Sequence, residues 1–187
     1  LIGHFRHELG HYVFLRLSQD QSFLDAFRSG FGDERADYGA ALERHYEQGP
    51  PKDWQASHVT AYASSHPHED WAESFAHILH LTDMLDSFLA AGFRAPALDA
   101  LRAPPYEVAD TGALLTAGVD VGLGLNHLNR SMGLFDIYPF VLSEAARTKL
   151  GFVHGAVRRG PIESMPRKKG TGRRFWNLFR PAVVKSS

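Results

Sequence analysis

The stretch GHFRHELGHY, residues 3–12, puts His4, His7, Glu8 and His11 on one helix-compatible segment. His7, Glu8 and His11 spell HExxH. At 3.6 residues per turn, positions i and i+4 stand about 40° apart around a helix axis and roughly 6 Å apart along it, so two imidazoles can reach one ion. Glu8 projects near the same face, where a carboxylate that stays off the metal can take a proton from water. Zinc suits such a donor set, because it polarises a peptide carbonyl and brings the pKa of its water down toward about 7. His4 lies three residues before His7 and is a candidate for an outer contact to the site.

Two histidines leave a third ligand to be found. A histidine six residues after His11 would complete HExxHxxGxxH, but that position is Leu17 and the glycine position is Phe14. The ligand must therefore come from another element. The segment YASSHPHEDWAESFAH, residues 62–77, offers Glu69 and Glu73 four apart on one helical face. In that arrangement one carboxylate can bind metal while the other orients a ligand histidine. His66 and His68 are neighbouring alternatives. His77 and His80 continue on roughly the same face, with His80 able to approach either glutamate from below. Spacing alone leaves Glu69 and Glu73 both open.

The elements that must position these groups read as helices, with no strand-like alternation. A first helix spans 2–17, and its flanking apolar residues imply burial on most sides. A short second helix covers 21–28, before Gly30 and Gly32. Asp33 is a plausible cap for a helix ending at Gly49, followed by Pro50 and Pro51. Residues 52–65 form an irregular connection. Pro67 opens a long helix that stops at Gly92, since proline is tolerated in a first turn. A Pro-punctuated linker follows. Asp110 or Thr111 caps a helix running to Gly133, whose interior glycines 118, 122 and 124 either weaken it or permit close packing. The last helix is expected over 136–155, with Pro139 near its first turn and Gly155 past its end.

The 187 residues are 44% hydrophobic and 22% charged, which suits one domain with a substantial core. There is no cysteine, so disulfides and thiolate metal sites are excluded within this stretch. That composition fits a reducing compartment, and a cytoplasmic location is expected. No apolar run approaches the roughly 20 residues that span a bilayer. Because the chain opens at Leu1 inside an apolar helix, further sequence upstream is expected. The charge is divided unevenly: residues 158–187 hold nine Lys/Arg against the single acid Glu163, and the preceding residues hold eleven against twenty acids. The basic segment 157–187 reads as a flexible tail. Its RRFWNLFR interleaves cations with aromatics, a pattern suited to an acidic surface, a membrane or a nucleic acid.

GHFRHELGHY, the YASSHP and EDWAESFAH segments, and LNRSMGLFDIYPFVL together resemble a family of bacterial zinc-binding metallopeptidases, over residues 3 to about 154. The arrangement is also similar to the glutamate-zincin (gluzincin) group, in which HExxH is followed on a later helix by a ligand glutamate. Its local spacing is similar to that of anthrax lethal factor, where the ligand glutamate begins E-x-x-A-E-x-F and a tyrosine seven residues earlier points at the substrate. The resemblance implies His7, His11 and Glu69 as zinc ligands, Glu8 as general base, Tyr62 as a donor to the substrate oxyanion and Glu73 as an outer contact. It implies a peptide or protein substrate. It also implies a mainly α, zincin-like catalytic body over 1–156, with any upstream β-sheet absent from this fragment. Two other readings compete. A di-iron carboxylate bundle needs Glu-x-x-His on two helices; Glu8 and His11 supply it once, but Glu73 and His77 are one residue too far apart. A non-catalytic, metal-binding or helical interaction module with a basic tail is the other.

Overall fold

In the computed structural model, described for residues 1–137 and 141–160, the architecture is mainly α-helical and carries no strand among those residues. Seven α-helices follow in order: α1 (Ile2–Leu17), α2 (Gln21–Phe31), α3 (Tyr38–Gln48), α4 (Pro67–Ala90), α5 (Pro96–Asp99), α6 (Thr111–Ser131) and α7 (Glu144–Arg159). One-turn 3₁₀ segments occupy Trp54–Ala56, Tyr62–Ser64 and Pro105–Glu107.

The long helix α4 is the hub. It is buried along most of its length and packs against α1, α2, α6 and α7. It sits inside the bundle even though Glu69, Asp70, Ser74 and His77 are buried along with its apolar residues. Around its first half Phe14, Phe27, Phe31, Trp71 and Phe75 form an aromatic core with Leu150 and Val153 of α7. A second cluster, Leu85, Leu98, Val108, Leu114 and Val121, closes the other end. Tightly packed aromatic pairs contribute beyond their buried area, and Phe14, Phe27 and Trp71 contact one another edge to face.

Helix starts follow capping chemistry. Asp20, Asp37, Asp110 and Ser143 each accept a hydrogen bond from a backbone N–H of the first turn. His66 plays the same part for α4, its ring accepting from the His68 N–H, with Pro67 at the first helical position. Three expectations need correction. The helix anticipated from Asp33 starts after Asp37, because the Asp33 carboxylate is taken by the Arg35 backbone and guanidinium. Helix α2 continues through Gly30 and ends only at Gly32, whose φ of +100° suits glycine alone. The last helix begins at Glu144 instead of near 136, passes through Gly155 and stops at Gly160, φ +69°. Pro139 and the tail from Pro161 onward lie outside the described residues. No described helix is long and apolar enough to cross a membrane.

Helix α1 is also less enclosed than its composition suggested. His7, Gly10, Phe14 and Leu17 are its buried residues, whereas Phe5, Tyr12 and Leu15 are exposed. A single face, one residue in three or four, lies against α4.

Candidate metal centre

Gly10, inside the HELGH sequence, sets the spacing between α1 and α4. A Cβ at this position would lie 3.0 Å from the Ala72 Cα and 3.2 Å from two Phe75 side-chain atoms. The Trp71 indole N–H donates to the Gly10 carbonyl at 2.8 Å, tying the two backbones together in the core. This close approach carries His7 and His11 of α1 up to the first turns of α4, where Glu69 and Glu73 lie.

There His7 Nε2 and His11 Nε2 are 3.0 Å apart. Glu69 Oε2 lies 3.0 Å from His7 Nε2, and Glu69 Oε1 lies 3.5 Å from His11 Nε2. One donor atom from each of His7, His11 and Glu69 falls within 4.8 Å of the others, a spacing that could hold one metal ion. Glu69 and His7 are buried, and His11 is partly open to solvent.

The outer contacts fix the orientation of His7. Its Nδ1 faces Glu73 Oε1 at 2.6 Å, and the other Glu73 oxygen accepts from Thr60 Oγ1 at 2.8 Å. A carboxylate only accepts, so Nδ1 carries a proton, and with a metal bound the neutral ring would present its Nε2 lone pair toward His11 and Glu69. This is the carboxylate–histidine arrangement that supports metal ligation.

The donor set fits a cation. Three electron-rich atoms crowd together, and Glu69 Oε2 is buried without a well-formed hydrogen bond although His7 Nε2 is close. An unsatisfied buried carboxylate oxygen is costly. The neighbouring carboxylates Glu69 and Glu73 raise His7 from 6.5 to about 9, which favours a second proton on the ring when no metal is bound. A divalent cation would take that proton's position and charge. Burial pushes the Glu69 carboxyl up, but hydrogen bonds from His11, His7 and Tyr38 outweigh it and hold the group well below the usual carboxylate range. Glu73 behaves alike: burial raises it, and His7 and Thr60 together bring it down.

The remaining sequence candidates fall at different distances from this cluster. Glu8 is exposed, with Oε1 3.7 Å from His4 Nε2, and both side chains face solvent beside His7. Tyr62 lies next to His7, ring centroids 6.0 Å apart, and its hydroxyl is pushed up by burial and by the Glu69 charge. His80 is turned to Arg6, whose Nη1 donates to its Nδ1 at 2.7 Å; Arg6 also pairs with Asp83. His77 Nδ1 meets the Glu73 carbonyl at 3.2 Å, and burial lowers its pKa to about 4. Neither His66 nor His68 joins the cluster: His66 caps α4 and reaches the Ala36 carbonyl, and His68 packs on Phe14.

Tyr38 escaped the sequence reading. Its hydroxyl donates to Glu69 Oε1 at 2.7 Å. It sits 31 residues before Glu69 on a different helix, with no periodic relation to either motif. The Asp37 cap that places it at the start of α3 was the available signal.

A mainly helical body with two histidines one turn apart and a buried glutamate from a second helix defines a protein with a two-imidazole, one-carboxylate candidate metal centre. Residues 1–156 match the family described as "Putative zinc-binding metallo-peptidase", and the chain belongs to that family. Three proteins named as uncharacterized, from Mycobacterium bovis and two strains of Mycobacterium tuberculosis, are each 46% identical to it over 158 residues. The alignment covers 84% of this chain and 46% of each relative, so the chain spans about half the length of the curated relatives it matches. No solved structure matches.

Proposed function

We propose that this chain carries a single-zinc peptide-hydrolysing centre of the glutamate-zincin type, within a unit formed by residues 1–156. His7, His11 and Glu69 hold the zinc. The observation that carries this reading is the convergence of His7 Nε2, His11 Nε2 and the buried Glu69 carboxylate on one place, with His11 partly open to solvent. When bound, zinc supplies Lewis-acid polarisation of the scissile carbonyl and acidifies water.

The chain's own residues do the rest. Glu8, solvent-facing and adjacent to His7, accepts a proton from the attacking water and delivers it to the departing amine nitrogen as the C–N bond breaks. Glu73 holds the His7 ring through Nδ1. Tyr62 donates its hydroxyl proton as a hydrogen bond to the oxyanion that develops on the substrate carbonyl. Its raised pKa keeps the phenol protonated and able to donate at neutral pH. The substrate class is a peptide or protein.

Glu8→Gln is the direct test. The variant should bind about one zinc per chain, keep its fold, and lose peptide hydrolysis by about 10²–10⁴-fold, the usual contribution of a general base. His7→Ala should lose the metal. Undiminished cleavage by Glu8→Gln would rule out the mechanism.

A further inference from the structure

The Glu69 carboxylate has two unlike oxygens. Oε1 accepts from the Tyr38 hydroxyl at 2.7 Å and lies 3.5 Å from His11 Nε2, whereas Oε2 is buried, has no well-formed hydrogen bond and lies 3.0 Å from His7 Nε2. Tyr38 is itself held: its ring packs edge-on against His66, centroids 5.1 Å apart. The phenol is the donor in this contact, because a carboxylate only accepts. Helix α3, which carries Tyr38, buries only Ala41, so this polar contact, more than core packing, connects it to the centre.

A carboxylate free at both oxygens can chelate a metal and occupy the coordination position that a water or substrate oxygen needs. A phenol proton on one oxygen takes up one of its two lone pairs and disfavours that mode. We propose that Tyr38 is a positioning residue whose hydroxyl occupies Glu69 Oε1, so that Glu69 offers the metal Oε2 alone and the centre keeps an open position. This rests on the reading of His7, His11 and Glu69 as the metal-holding set.

Tyr38→Phe, made in the full 187-residue chain, isolates the hydroxyl because the ring and its packing remain. Zinc affinity would be measured by competition with a chelator, and the visible absorption of the cobalt(II) form recorded. Loss of an outer contact of this kind weakens metal binding by about 10–100-fold, and the expected change is about tenfold. The cobalt bands should weaken and shift as Glu69 turns to two-oxygen binding, since d–d absorption is strongest in four-coordinate cobalt(II). The metal-free variant should stay folded, with its thermal midpoint lowered by no more than the loss of one hydrogen bond. Zinc affinity within twofold of wild type, or a superimposable cobalt spectrum, would overturn the proposal. So would a drop in metal-free stability with an unaltered spectrum, which marks a purely structural contact. Wild-type protein that takes up neither metal would overturn this inference together with the metal assignment. A Glu8→Gln protein that still cleaves peptides would overturn the hydrolytic reading alone.

Discussion

At the scale of single residues, Glu69 and Glu73 share a face of α4 yet meet opposite nitrogens of one imidazole: Glu69 faces His7 Nε2 and Glu73 faces His7 Nδ1. Their removal should therefore differ in kind. Glu69→Ala deletes a ligand, and zinc should be lost during gel filtration. Glu73→Ala leaves three donors with a freed His7 ring, so about one zinc per chain should remain at an affinity reduced 10–100-fold, about 1.4–2.7 kcal/mol. Metal analysis after gel filtration and chelator competition read the two outcomes, and the reverse order would exchange the two roles. The sequence allowed this pair to be narrowed down, because both motifs are four-residue repeats on helices, and helical geometry places such side chains together whatever the surroundings. Spacing could not decide which carboxylate faces which nitrogen. That depends on the crossing of α1 over α4, a tertiary quantity. Tyr38 was illegible for the same reason: its place beside Glu69 comes from where α3 docks.

At the scale of elements, the crossing rests on Gly10. A side chain there meets the Ala72 backbone and Phe75, neither of which can rotate away as a surface chain end could. Gly10→Val should push α1 off α4, with an overpacking cost of about 1–3 kcal/mol. It should also separate the histidines from Glu69. The expected result is a lower urea midpoint together with weakened zinc binding. A stability loss with unchanged zinc affinity would show that the crossing is not what sets the donor geometry. Gly118 has a related role on α6, where a Cβ would come within 3.1 Å of Leu81; of the two readings its position allowed, close packing is the one realised. Helices α1, α4 and α6 were legible almost to their ends because a periodic face coincided with a clear start or stop, such as Pro67 or Asp110. The last helix was misread at both ends. Pro139, read as a first-turn residue, suggested helix before Ser143, and Gly155 resembles a stop although its backbone remains helical; Gly160 is the glycine with positive φ. Composition also overstated the burial of α1, since apolar residues mark which sides can be covered and not which ones are.

At the scale of the whole molecule, packing this many histidines into a helical body makes its stability depend on pH. His154 shows the effect away from the metal centre. It is buried at the junction of α6 and α7, where its Nδ1 meets Thr111 Oγ1 at 2.7 Å. Burial, reinforced by Arg158, lowers it from 6.5 to about 4. The unfolded chain therefore takes up this proton near pH 6.5, whereas the folded protein refuses it until about pH 4. Stability from this group is complete above about pH 6.5, is lost as pH falls from there to about 4, and changes no further below that. At pH 5 the loss is about 2 kcal/mol. His58, also lowered to about 4 by burial and by the Lys149 charge, adds to the same slope. Urea unfolding of metal-free protein at pH 7.5 and pH 5 should show wild type losing more stability than His154→Gln, by about 2 kcal/mol. The variant retains a hydrogen-bonding side chain beside Thr111 but has nothing to titrate, so its remaining slope belongs to His58 and the other groups. Equal losses in the two proteins would mean that His154 is hydrated enough to be protonated in place, and that the α6–α7 junction is looser than its packing indicates.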